Sequence, residues 1–126
     1  MASKNKYEFI QKQIKAVSKL LMNVLFKTED YQYKVSSSEN QTELDKLYLT
    51  LMDMLEKNQI NEAEDMLFDR VDGMNPIILI IALNFYNKLT TKTEEELESA
   101  NFSVDEVEQG FLDLLRMYNV KVDKKQ

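Results

Sequence analysis

The sequence predicts an all-α protein, a compact bundle of five or six helices arranged as helical hairpins. Three observations carry that expectation. Apolar residues recur at three- and four-residue spacing through most of the chain. Capping residues stand ahead of those stretches. Only two glycines and one proline occur in 126 residues, too few for the many tight turns of a β-sandwich or barrel. Leu, Ile, Val and Phe account for 37 residues, enough for one core, and the length fits one domain over residues 1–126.

Tyr7, Ile10, Ile14, Val17, Leu21 and Val24 define the apolar stripe of a first helix over about 5–27, with Asn5 and Glu8 as its capping box. At about 100° per residue, Lys12, Lys15 and Lys19 cluster opposite that stripe, and Met22 and Phe26 fall on or near the lysine side. The helical period lapses over 28–41, where Tyr31, Tyr33 and Val35 alternate with polar residues ahead of three serines. This reads as an extended connector and the most flexible segment of the chain.

The helical body follows over 42–120. Thr42 and Asp45 open helix 2, whose stripe is Leu44, Leu47, Tyr48, Leu51 and Leu55, and Asn58 is its left-handed stop. Asn61 and Glu64 form a capping box for helix 3, which carries Ala63, Met66, Leu67 and Val71 and ends at Gly73. Asn75 and Pro76 open helix 4, because proline at the first helical position forfeits no intrahelical bond. Its run from Ile77 to Leu89 is apolar in nearly every direction, the mark of a central helix, here one expected among helices 2, 3 and 6. A buried strand would share that composition, but no second segment is long enough to pair with it. Thr93 with Glu94, Glu95 and Glu96 starts a short helix 5 ending near Ala100; Ser103 and Glu106 cap helix 6, which stops at Asn119. Residues 121–126 form a charged tail.

The segments QINEAEDMLF (residues 59–68), LNFYNKL (83–89) and NFSVDEVEQGFLDLLRMYNV (101–120) resemble a family of small bacterial proteins of unknown function, over roughly residues 6–120. The resemblance implies an all-helical fold and assigns no activity or site residue. Helix 2, its turn and helix 3 are also similar to a single tetratricopeptide unit; no 34-residue period extends through the chain.

Cysteine and histidine are absent, which excludes disulfides, thiolate nucleophiles, His-based triads and imidazole acid-base catalysis. No phosphate-cradling glycine loop or dinucleotide fingerprint occurs. Carboxylates are the remaining catalytic inventory. Glu62 with Asp65, Asp69 with Asp72, Glu95 with Glu98, and Asp105 with Glu108 have the i, i+3 spacing used by helical nucleotide hydrolases that hold a divalent metal. Such pairs also arise on solvated faces of an acidic chain, so the expectation is no enzyme and no cofactor.

Charge is divided unevenly: residues 1–28 carry a net +5 and residues 29–126 a net −11. The favoured reading is therefore a non-enzymatic interaction module contacting a protein partner or a second copy, with Lys12, Lys15, Lys19, Met22, Phe26, Tyr31 and Tyr33 as candidate contacts; the alternatives are a solvated or internally balancing lysine face, Met22 and Phe26 packed under the connector, and Tyr31 and Tyr33 packed over the bundle. The runners-up are the metal hydrolase and an adaptor binding an anionic surface through the first helix. Nucleic acid is not expected, since that helix has no arginine and no aromatic interleaved among Lys12, Lys15 and Lys19. Gly110 in mid-helix anticipates a close approach to helix 4. The chain lacks an apolar run long enough to span a bilayer, and a cytosolic setting is expected.

Overall fold

The computed structural model describes residues 2–121, with side chains from residue 6 onward. Within them lie six α-helices and no strand: α1 (Ala2–Phe26), α2 (Glu43–Glu56), α3 (Ile60–Arg70), α4 (Pro76–Leu89), α5 (Glu94–Ser99) and α6 (Val104–Met117). A 3₁₀ turn, Ser38–Asn40, interrupts the connector between α1 and α2. No helix among the described residues is long and apolar enough to cross a membrane. The charged tail expected at 121–126 lies outside the described residues from 122 on.

Capping fixes most boundaries where the sequence places them. Thr42 with Asp45, Thr93 with Glu96 and Ser103 with Glu106 form reciprocal capping boxes. The Asn75 side chain accepts from Ile77 N at 2.9 Å and Ile78 N at 3.4 Å, ahead of Pro76 at the first helical position. Helix ends are closed without glycine. Asn58, Asn101 and Asn119 adopt φ of 59°, 59° and 61°, and the amide two positions past each cap returns to the last turn, Gln59 N to Met54 O at 2.8 Å, Phe102 N to Leu97 O at 3.0 Å, and Val120 N to Leu115 O at 2.8 Å. These are Schellman closures with asparagine in the left-handed position, which its short polar side chain tolerates.

Two starts differ from expectation. α1 begins at Ala2, ahead of the supposed capping box at Asn5 and Glu8. α3 begins at Ile60 behind Gln59, which makes no side-chain cap. Asn61 and Glu64 do not cap α3 because tertiary partners claim them. Asn61 Nδ2 donates to Ala100 O at 3.1 Å, and Glu64 accepts the Tyr86 hydroxyl at 2.6 Å.

α4 is the enclosed helix, with Ile78, Leu79, Ile81, Ala82, Leu83, Asn84, Phe85, Tyr86 and Leu89 buried. It packs against α1, α2 and α6. Helix 1, not helix 3, is its third neighbour, because α1 is long and its Ile10, Ile14, Ser18 and Leu21 side is wholly turned inward. α3 packs on α2 and reaches α4 through Glu64 and Tyr86.

Gly110 lies where α6 meets that pair, and a Cβ there would collide with Glu64 Oε2 and Tyr86 Oη. The Tyr86 ring is wedged edge-on between Phe85 and Phe111, with centroids 5.1 and 5.8 Å away, so its hydroxyl cannot easily retreat. Gly110→Ala is expected to lose about 1–3 kcal/mol to overpacking, more than the roughly 1 kcal/mol alanine gains from helix propensity. Urea denaturation reads the balance, and an unchanged or raised midpoint would contradict the close approach.

Candidate functional site

α1 has two apolar stripes. The first, centred on Ile14, Ser18 and Leu21, faces the core. Ser18 is buried in its middle, donating to Ile14 O at 2.7 Å and accepting from Asn87 Nδ2 of α4 at 2.8 Å. The second stripe faces outward. Phe9, Leu20 and Val24 are 63%, 61% and 66% exposed, and with exposed Ala16 they fall within about 80° of one another on the helix. Exposed Lys12, Lys15 and Lys19 form the adjoining row. The outward side of α1 is thus apolar along one line and basic along the next.

This placement revises two expectations. Val24 belongs to the outer stripe and not to the core, because α1 continues past the point where the body covers it; Leu25 and Phe26 are also partly exposed there. Met22 is buried and so is no outer contact. It lies about 40° from Ser18 around the helix, on the core side's edge. Phe9 and Leu20 went unread as a pair, although their spacing with Ala16 and Val24 was present in the sequence as a second helical period.

The connector is ordered against the body, contrary to the flexible segment expected. It leaves α1 at Lys27, whose φ is 59°, and Tyr31 and Tyr33 pack on the core as half-buried residues. Tyr31 O accepts from Asn84 Nδ2 at 2.5 Å, and Tyr33 N donates to Asn84 Oδ1 at 3.2 Å. The Tyr33 hydroxyl donates to Asp45 Oδ1 at 2.5 Å, and its ring lies 4.9 Å from that of Tyr48. Asp45 Oδ2 also accepts from Ser36 N at 3.3 Å and Thr42 N at 3.1 Å. Of the two readings the sequence leaves open for these tyrosines, packing over the bundle is the one the structure shows: they anchor the connector. An amide such as Asn84 inside an otherwise apolar helix was the available sign that something polar comes to meet it.

The acidic pairs do not converge: among the described residues no three acidic side chains are placed to hold a metal ion. Asp72 Oδ1 accepts from Met74 N at 2.8 Å and Asn75 N at 2.9 Å, shaping the turn before α4, and Asp105 pairs with Lys6. Glu64 is half-buried against α4 and α6. Burial raises it above the ordinary glutamate range while the Tyr86 hydroxyl draws it back, and burial beside Glu64 pushes the Tyr86 phenol well up.

The model of the family of unknown function DUF6483 matches residues 4–119. The chain belongs to that family. No curated protein and no solved structure matches it. The function of that family is unknown.

Asp45 supplies a test of the connector's attachment. The Tyr33 hydroxyl, followed by the Thr42 amide, holds its carboxyl below the ordinary aspartate range. With the folded value below the unfolded one, the stabilisation is complete above the unfolded value and is lost as pH falls through the folded one. Asp45→Asn is expected to lower stability at neutral pH and to flatten the acid loss between about pH 5 and pH 3. Urea midpoints across that range read both effects; parallel curves for the two proteins would contradict the attachment.

Proposed function

We propose that the protein is a non-enzymatic helical interaction module that docks an acidic partner protein through the outer side of α1. The observation that carries this reading is the alignment of exposed Phe9, Leu20 and Val24 beside Lys12, Lys15 and Lys19. Single exposed apolar residues are ordinary. Three in line over about 22 Å of helix, next to a basic row, form a patch of the kind that marks binding surfaces. The rest of the chain is strongly acidic, with a net −11 over residues 29–126, so this row is where an anionic partner is drawn.

An amphipathic helix bearing carboxylates along one flank fits such a surface, its apolar seam on Phe9, Leu20 and Val24 and its acids against the lysines. An antiparallel second α1 would set lysine row against lysine row. An anionic bilayer meets the basic row equally well, but the acidic body opposes its approach, and the stripe is broken by Gln13 and Asn23. The missing cysteine and histidine and the dispersed acidic pairs support a role without catalysis.

Cross-linking in native cytosol, followed by purification of the captured partner, tests the reading. Leu20→Glu and the triple change of Lys12, Lys15 and Lys19 to Glu are each expected to weaken the purified complex at least about tenfold, roughly 1.4 kcal/mol, with helicity and melting unchanged. The wild-type complex should weaken with salt, as rim charge contacts do. A partner whose affinity ignores both variants would overturn the proposal, as would salt-sensitive retention on anionic vesicles with no protein captured.

A further inference from the structure

The body holds the connector in an unusual way. Among the described residues, no backbone-to-backbone hydrogen bond joins residues 29–36 to any helix. The extended chain is read by side chains. Asn84, buried on α4, donates to Tyr31 O and accepts from Tyr33 N, so one carboxamide grips the carbonyl of one residue and the amide two residues on. Its remaining amide hydrogen is spent on Ile80 O at 2.8 Å, which fixes the carboxamide in its own helix. The residue between the gripped pair, Gln32, is exposed, and its side-chain amide donates to the Tyr48 hydroxyl at 3.2 Å. Beyond it, buried Asp45 takes the Tyr33 hydroxyl and the Ser36 amide, and the Tyr48 ring lies against the Tyr33 ring.

A clamp on the backbone and one seat for a specific side-chain group are the chemistry by which proteins recognise extended peptides. Here a helix pair supplies it, with no sheet edge involved. We propose that the seat formed by Asn84, Asp45 and Tyr48 is a recognition groove for an extended, tyrosine-bearing segment of another protein, occupied in cis by the chain's own residues 31–36. Asn84 is indifferent to sequence, whereas Asp45 calls for a hydrogen-bond donor, the tyrosine hydroxyl where Tyr33 stands, and disfavours an anion there. A phosphorylated tyrosine is refused there, because its charge meets the carboxylate. The tether gives the cis segment an effective concentration near the millimolar range, so an outside segment enters chiefly when the connector is loosened. This groove lies apart from the outer side of α1, and neither proposal depends on the other.

The test uses the full chain and a fluorescent synthetic peptide of residues 28–38. Tyr33→Ala loosens the cis segment, and that variant is expected to bind the peptide at least about tenfold more tightly than the wild type does. Adding Asn84→Ala should reverse the gain at least about tenfold, and the peptide phosphorylated at its second tyrosine should not bind. Absence of saturable binding to a folded Tyr33→Ala chain, or affinity unchanged by Asn84→Ala, overturns the proposal. If Tyr33→Ala does not fold, hydrogen exchange on the wild type decides. The Tyr33 amide is expected to exchange at least about a hundredfold faster than that of Leu83 in α4, the sign of local lifting. Equal protection would mean that the connector leaves only on global unfolding, and the groove would then be closed to any partner.

Discussion

The enclosure of α4 is the constraint from which the rest of the molecule follows. A helix with apolar residues on nearly every side must be covered on every side, and α1, α2 and α6 take three of those directions. No helix remains for the sector around Ile80 and Asn84, and the connector closes it as an extended strap. A strap lying across helices has no ladder in which to satisfy its amides and carbonyls. The buried polar side chains Asn84 and Asp45 meet that need. Their presence in an otherwise apolar interior thus traces back to a shortage of helices around the central one.

A second constraint is the near absence of glycine. The chain reverses direction repeatedly, and three of its helix ends use asparagine in the left-handed conformation. The two glycines stand where no Cβ fits: Gly73, at φ 78°, backs onto Met117 O, and Gly110 faces Glu64 and Tyr86. Asparagine also brings a side chain that glycine lacks, and Asn58 uses it to bind Glu96 O at 2.8 Å and Ser99 Oγ at 3.0 Å. Helix termination and packing of α5 against the end of α2 are therefore carried by one residue.

α1 stands in a different relation to the body from the other helices. One side completes the cover of α4, while Tyr7 and Gln11 tie it to Lys92 O and Thr90 O at 2.7 and 2.8 Å. The opposite side keeps a second apolar line and a basic row that no other described part of the chain covers. A surface helix needs only one apolar side to be stable in a bundle, so the second line is surplus to folding. That surplus, joined to charge opposite in sign to the remaining body, is what the proposed docking on α1 rests on.

The sequence by itself determined the helical class, the order of the helices, the capping boxes at Thr42, Thr93 and Ser103, the left-handed ends at Asn58 and Asn119, and the closeness of Gly110 to α4. Those features depend on residues within a turn or two of each other, or on a glycine too costly to keep without cause. Only the tertiary structure decided that Asn61 and Glu64 serve Ala100 and Tyr86 in place of a cap, that Val24 is outside and Met22 inside, and that Tyr31 and Tyr33 fasten a strap. The reason is that an apolar or polar side chain carries the same local signal whichever distant element comes to cover it. Periodicity gives the direction in which α1's residues point, whereas the reach of the helices packed against it sets how far along α1 that cover extends.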